Sequence, residues 1–294
     1  MIFAILPKKT LSGQAGRQLL ARLSRRCKVD VAFATAIEDV DPKPEDGVVF
    51  GCWTLGEIER QLEGLTEARS PFALWAISTD SVSPKQIVIC NRARITTTRD
   101  SASLRRIVGA GISNAWIGFD PLLLSIGSGE PRARVGILAV ARDDAEETII
   151  GKAAGILAEV RNTTFAFVAA GSEWNQGTVN TARAGGVKRI KMLTRLRDGQ
   201  ETVQGAEAVL ALCPEAVYLA RRHGKSVIVP PVWEAWRAAY DLCPESICED
   251  WEVAKNLIRE GAWPACPSPK NAIKLGQHTA EKMLLILGGA DHER

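Results

Sequence analysis

A chain of 294 residues is long for one α/β core and suits two of about 100–150 residues each. Its 46% hydrophobic and 24% charged residues exclude a disordered or fibrous protein, and its formal net charge of +3 excludes a uniformly acidic or basic surface. No apolar run reaches the roughly 18 residues of a membrane span.

IFAIL opens the chain and reads as a strand, because Lys8 and Lys9 follow the apolar run whereas a signal peptide carries its charge in front. SGQAG (residues 12–16) reads as a turn into an amphipathic helix over 18–26, and VDVAFAT and GVVFG as the next strands. A helix is expected over 54–64, then strands at FALWAIS, IVICN and ARITTT, a helix over 101–109 and a strand at NAWIGF. LSIGSGEPRA (124–133) has the composition of a linker, after which the βα rhythm restarts at RVGILAV. The second half continues with a helix over 146–161, the strand TFAFVAAG, and a helix beginning over 179–184. VKRIKML and AEAVLAL are strands, 215–222 a short helix, and KSVIVPP the last strand. Helices over 250–260 and 271–287 flank a Pro-rich bend. The fold class expected is α/β, two Rossmann-like domains with parallel sheets facing a central cleft. Residues 1–128 are expected to form one such domain and 129–270 the other, with 271–294 a C-terminal helix that can cross back to the first.

Seven cysteines, an odd number in no CxxC spacing, argue for reduced thiols in a cytoplasmic protein and against a disulfide framework or a zinc site. Three histidines make a histidine-rich metal centre an unsuitable reading, and nothing calls for an obligatory metal. The sequence carries no Walker phosphate loop, no GxGxxG fingerprint and no GxSxG elbow, which sets aside common kinases, dehydrogenases and hydrolases.

Ligands of open parallel sheets bind at the carboxyl ends of strands, so the loops there carry the candidates. In SGQAG, Ser12 and Gly13 would let backbone approach a phosphate at a helix N-terminus, although glycine-bearing turns there are common. In VARDD, Arg142 would grip a diphosphate with Lys152 downstream, or else pair with Asp143 or Asp144. AAGSEWNQG offers Gly171 and Ser172 as a lip. In CPEAV, Pro214, Glu215 and Ala216 open a helix where the carboxylate would accept ribose or sugar hydroxyls, or simply sit as a dipole-favoured acid.

The order of these pieces resembles the GT-B glycosyltransferases, especially the large retaining group that uses nucleotide sugars. SGQAGRQLLARLSRRCKVDV is similar to that group's first loop, helix and second strand. ARITTTRDSASLRRIVGAGISNAWIGFDP resembles the end of its N-terminal domain, RVGILAVARDD and TTFAFVAAG the opening of its donor domain, and CPEAVYLARRHGKSVIVPP its donor-site helix and turn. The group's ribose-binding glutamate would fall near Leu219, leaving Glu215 about one turn earlier to stand in for it. The resemblance implies a nucleoside-diphosphate sugar, UDP-linked, as donor substrate for the C-terminal domain, with Arg197 among the donor-binding residues and no obligatory metal. It also implies a base for the attacking hydroxyl, for which Asp80, after FALWAIS, is the first candidate and Asp120 the second; Asp80 equally suits a plain turn cap.

The acceptor is read from charge. Seven basic residues and no acid lie in residues 1–29, including Lys8, Lys9 and Arg17, and six more lie in 183–197, including Lys188 and Arg189. Such blocks suit a polyanion or form a solvated face. The chain is also as short as phage enzymes that glycosylate hydroxymethylated bases, so the favoured acceptor is a 5-hydroxymethylpyrimidine in DNA, flipped out of the duplex. Trp53 and Trp75 would then stack on the base, or else belong to the core. The alternatives are a glycosyltransferase for a lipid-linked or small-molecule acceptor, and a non-catalytic nucleotide- or nucleic-acid-binding protein of the same fold.

Overall fold

The computed structural model describes residues 1–62, 70–125, 134–169 and 174–289. The chain divides into two compact units. One comprises Met1–Lys8, Ser12–Ser125 and the stretch from Lys270 onward; the other comprises Lys9–Leu11 and Ile126–Pro269.

The first unit holds a parallel sheet of β1 (Ile2–Ile5), β2 (Val31–Ala34), β3 (Gly47–Gly51), β4 (Phe72–Ile77), β5 (Thr96–Thr98) and β6 (Ala115–Ile117), in the order β2-β1-β3-β4-β5-β6. Its helices are α1 (Leu11–Cys27), α2 (Leu55–Leu62), α3 (Pro84–Arg92), α4 (Ser101–Gly109) and the single turn α5 (Pro121–Leu124), joined by the C-terminal helix α12 (Lys270–Leu287). A sheet covered on both faces needs strands that are apolar throughout, and all residues of β3 and β4 are buried. One face, with Ile5, Val48, Phe50 and Leu74, packs on Leu55 and Ile58 of α2, Ile89 of α3 and Ile107 of α4. The residues of opposite parity meet α1 and α12: Gly16 lies against the Trp75 ring, and Gly47 against Leu287.

The second unit holds β7 (Val135–Arg142), β8 (Thr163–Val168), β9 (Ile190–Leu193), β10 (Ala206–Ala211) and β11 (Ser226–Ile228), all parallel in the order β11-β10-β7-β8-β9. Its helices are α6 (Glu147–Ala158), α7 (Gln176–Ala184), α8 (Leu196–Gln204), α9 (Pro214–Arg222), α10 (Trp233–Leu242) and α11 (Trp251–Glu260). Its strands β7 and β8 are again buried on both faces, with the Phe165 and Phe167 rings stacked at 4.9 Å between centroids. This is the α/β class the sequence predicts, two Rossmann-like parallel-sheet units.

Several elements depart from the sequence expectation for identifiable reasons. IVICN lies in α3 rather than in a strand: Ser83 accepts from the Gln86 N–H, the Gln86 side chain returns the bond to the Ser83 N–H, and Pro84 takes the first helical position. This capping box outweighs the β-branched run. SGQAG is not a turn before α1 but its first turns, since the helix begins at Leu11. The helix expected to begin near residue 179 spans Gln176–Ala184, and α5, α8 and α10 have no counterpart in the sequence expectation.

Candidate functional site

In the second unit the strand order reverses between β7 and β10, so the crevice at their carboxyl ends is where a ligand is expected. Three neighbouring strands deliver side chains there. Arg142 is the last residue of β7, Glu215 lies in the first turn of α9 just after β10, and Glu234 lies in the first turn of α10 after β11. Arg142 lies 3.2 Å from Asp144 and 3.9 Å from Glu234. Burial works against its charge, but Glu215, Asp144 and Glu234 outweigh that and raise its pKa above the ordinary arginine value.

Two groups in this cluster lack ordinary partners. Glu215 Oε2 is buried without a hydrogen-bond partner, and α9 begins with Pro214 at its first position and no side-chain cap hydrogen bond from Cys213. A buried carboxylate oxygen left unsatisfied beside an uncapped helix N-terminus is an arrangement that accepts a hydroxyl and faces an anion with main-chain N–H groups.

The other donor-side candidates fall differently. Arg142 takes the reading in which it pairs with Asp144, whereas Asp143 is buried, accepts from the Asn175 N–H at 3.4 Å, and receives the Thr178 hydroxyl on its carbonyl at 3.0 Å. Lys152 lies over the Trp251 ring at 5.9 Å, so its cation faces α11. Arg197 donates to Glu201 at 2.6 Å one helical turn on, a buried carboxylate that the sequence did not single out. Ala216 is buried in α9 directly after Glu215, and Leu219 is wholly buried, which leaves Glu215 as the acid of that helix start. Gly171 and Ser172 lie outside the described residues.

In the first unit the order reverses between β1 and β3. Ser12 and Gly13, expected near a donor phosphate, are used internally here. The Ser12 hydroxyl donates to Asp120 Oδ2 at 3.0 Å, and a Cβ on Gly13 would sit 1.8 Å from the Pro7 carbonyl oxygen. The glycines of SGQAG therefore let α1 seat against its own loop and sheet. Asp120 is wholly buried, caps α5 by accepting from the Leu122 N–H at 2.9 Å, and lies 3.7 Å from the Arg99 guanidinium. This is the profile of a carboxylate holding three loops together. Asp80, by contrast, is exposed in the loop after β4.

Around this edge three residues other than glycine adopt the left-handed region: Cys52 after β3 (φ 66°), Ala76 inside β4 (φ 51°) and Phe119 after β6 (φ 56°). The β4–β5 register shifts between Leu74 and Ile77; the Ala76 N–H bonds Thr97 Oγ1 at 2.9 Å and its carbonyl accepts from Arg99 Nε at 3.2 Å. Local strain of this kind persists only where surrounding contacts enforce it, and here Arg99 and Thr97 do so.

The acceptor-side candidates are corrected in part. Trp75 is wholly buried under α1 and is unavailable for stacking; Trp53 is half-buried against the core. Arg17 donates to the carbonyls of Leu6 and Ala34 at 2.8 and 2.6 Å, so it ties β1 to β2. Lys8 and Lys9 are exposed just past β1. Lys188 and Arg189 are exposed but precede β9, at the amino end of the sheet, whereas the ligand edge is the carboxyl end; the polyanion stretch is thus split between opposite ends of one strand. Among the described residues no group of three or more His, Cys, Asp or Glu side chains is placed to hold a metal ion. No helix among them is long and apolar enough to cross a membrane.

Two Rossmann-like units with these strand orders define a GT-B fold protein. The chain is similar to Methanocaldococcus jannaschii UDP-GlcNAc 2-epimerase in complex with UDP-GlcNAc and UDP, with a TM-score of 0.64 and 11% identity over 98% of this chain and 99% of that one. It is also similar to S. aureus MnaA with UDP (0.58, 10% identity, 95% and 90% covered). A third likeness is to S. aureus TarM in complex with Fondaparinux, α-GlcNAc-glycerol and UDP (0.53, 8% identity), where it spans 85% of this chain but 54% of that one. No protein-family model and no curated protein sequence matches the chain.

Proposed function

We propose that this protein is an enzyme acting on a UDP-linked sugar, with the nucleoside diphosphate held by the second unit at the β7/β10 switch point. The observation that carries this reading is the buried, unsatisfied Oε2 of Glu215 beside Arg142. Glu215 accepts the ribose hydroxyls in the field of Arg142, and the main-chain N–H groups that follow Pro214 in the first turn of α9 face the diphosphate. Three neighbours of this fold carry UDP in their complexes, which supports the same ligand class here. Stabilisation of diphosphate charge by fixed amide dipoles is the catalytic contribution this arrangement suits.

The reaction assigned is glycosyl transfer to a hydroxyl, with Asp80, the exposed acid of the β4 loop, as base. It draws on the resemblance at GFDP and HGKSVIV and on the pairing of UDP with a glycosylated glycerol in the TarM complex. A second reading, epimerisation of the sugar nucleotide itself, is favoured by the nearly full-length match to the UDP-GlcNAc 2-epimerase. The burial of Trp75 and the position of Lys188 and Arg189 weaken a flipped DNA base as acceptor in favour of a smaller alcohol.

Thermal unfolding with UDP, UDP-GlcNAc and other nucleoside diphosphate sugars tests the shared step. A rise in melting temperature is expected, and Glu215→Gln should weaken binding about tenfold, which corresponds to ~1.4 kcal/mol. No shift with any of them overturns the reading. Incubation with UDP-GlcNAc alone separates the reactions: a 2-epimer formed without acceptor selects epimerisation, and UDP released only with an alcohol selects transfer. Mass analysis of nucleosides from hydroxymethylated DNA decides the DNA acceptor, which an unchanged base mass removes.

A further inference from the structure

Arg221, near the end of α9, is wholly buried, and none of its three guanidinium nitrogens has a hydrogen-bond partner. A buried cation left so is costly unless a counter-charge lies beside it. The groups that sense its charge are two thiols brought together from distant sequence: Cys243, just past α10, and Cys266, in the Pro-rich bend between α11 and α12. Ser246 ties them to one place, since its N–H donates to the Cys243 carbonyl at 2.9 Å and its hydroxyl lies 3.1 Å from Cys266 Sγ. Cys243 and the Val227 backbone also lie beside the Cys266 sulfur. Cys243, Ser246, Val227 and Arg221 thus surround Cys266, and each favours its anion.

Accessibility divides the pair. Cys266 is half-exposed and Cys243 is buried. The Cys243 hydrogen bond, against the opposing effect of burial, brings Cys266 down to about 6, with Ser246, Val227 and Arg221 adding to the lowering. The same contact and burial push Cys243 far up. Cys27, the other half-exposed cysteine, is raised by burial and by Glu281, so it is an internal control.

We propose that Cys266 and Cys243 are a hydroperoxide-reactive thiol pair, Cys266 the attacking thiolate held by Ser246 in the field of Arg221, and Cys243 the buried thiol that resolves it. The Cys266 sulfur attacks one peroxide oxygen, the O–O bond breaks, and the alcohol or water leaves with a proton from solvent; sulfur is oxidised by two electrons to a sulfenic acid and the peroxide is reduced. The Cys243 sulfur then attacks Cys266, forming the S–S bond as the S–O bond breaks, and the departing hydroxide takes the Cys243 proton as water. The balance is two thiols and one hydroperoxide to one disulfide, one alcohol and one water. The crosslink joins the end of α10 to the bend that precedes α12.

The test uses the intact protein. Iodoacetamide at pH 7 should label Cys266 at least about tenfold faster than Cys27, with a labelling midpoint near pH 6. One equivalent of hydrogen peroxide should yield a Cys243–Cys266 disulfide peptide under non-reducing digestion. Cys243→Ser should stop at a dimedone-trappable Cys266 sulfenic acid, and Arg221→Met should move the labelling midpoint of Cys266 upward. Should either variant fail to fold, the two wild-type measurements decide. Labelling of Cys266 no faster than Cys27, or peroxide treatment that leaves both thiols free, overturns the proposal.

Discussion

Glu215 and His223 bracket α9, and each keeps one buried polar atom without a hydrogen-bond partner. Glu215 keeps an unsatisfied oxygen at the carboxyl edge of the sheet, whereas His223, at the far end, sits 3.1 Å by its Nδ1 from the Gln204 side chain and has its Nε2 buried without a partner. Burial, with Arg222 and Lys225 beside it, depresses His223 to about 4 from the ordinary histidine value of 6.5. The unfolded state therefore binds more protons than the native state between pH 6.5 and 4, and stability falls as the pH drops through that window. After allowance for its partial exposure the loss is about 2 kcal/mol. Urea unfolding at pH 7 and pH 4 should show it, and His223→Gln should flatten that slope; an unchanged slope in the variant would assign the loss to other groups. Asp120 illustrates the converse at this scale. As a loop-closing aspartate it had a legible helix-start signal, Asp-Pro, but its bonds to Ser12 and Arg99 run across 108 and 21 positions of sequence and left no local mark.

Between elements, glycine decides how closely helices approach. Gly276 of α12 faces Leu124 and the Gly118 carbonyl, and a Cβ there would lie 2.6 Å from Leu124 Cδ2 and 2.7 Å from the carbonyl oxygen. Backbone cannot retreat as a flexible side chain does, so Gly276→Ala should cost about 1–3 kcal/mol in denaturant unfolding. Gly155, exposed in α6 with nothing within 4 Å of its Cβ position, makes the contrast: Gly155→Ala should stabilise by about 0.5–1 kcal/mol. If both substitutions shift the midpoint alike, helix propensity rather than close packing governs Gly276. The sequence marks both residues only as glycines inside apolar patterns. The same distinction bears on SGQAG, where the missing side chain of Gly13 lets α1 seat against the Pro7 carbonyl.

For the whole molecule the division into units does not follow chain order, because α12 completes the first. Ala280, Met283, Leu284 and Leu287 are buried, the last against Gly47, and Gln277 donates to the Leu124 carbonyl at 3.2 Å. Burial of three large apolar side chains contributes about 5 kcal/mol, an appreciable part of a domain's margin. A chain ending at Pro269 should therefore unfold its first unit at lower urea, or aggregate, and isolated α12 peptide added back should raise its midpoint. A truncated chain with an unchanged urea profile would show that the helix is dispensable.

The sequence by itself determined the α/β class, most strands, and the positions of Arg142 and Glu215, because strand burial and βα loop order are periodic and local in the chain. It also supplied the GT-B resemblance, which rests on the order of segments. Only tertiary structure decided that Arg142 is compensated by Asp144, Glu215 and Glu234, that Trp75 is core, that Ser12 serves Asp120, and that Cys243 and Cys266 share one buried guanidinium. Those partnerships join residues from separate strands and loops, and electrostatic compensation depends on distance in space, which the spacing of residues along the chain does not encode.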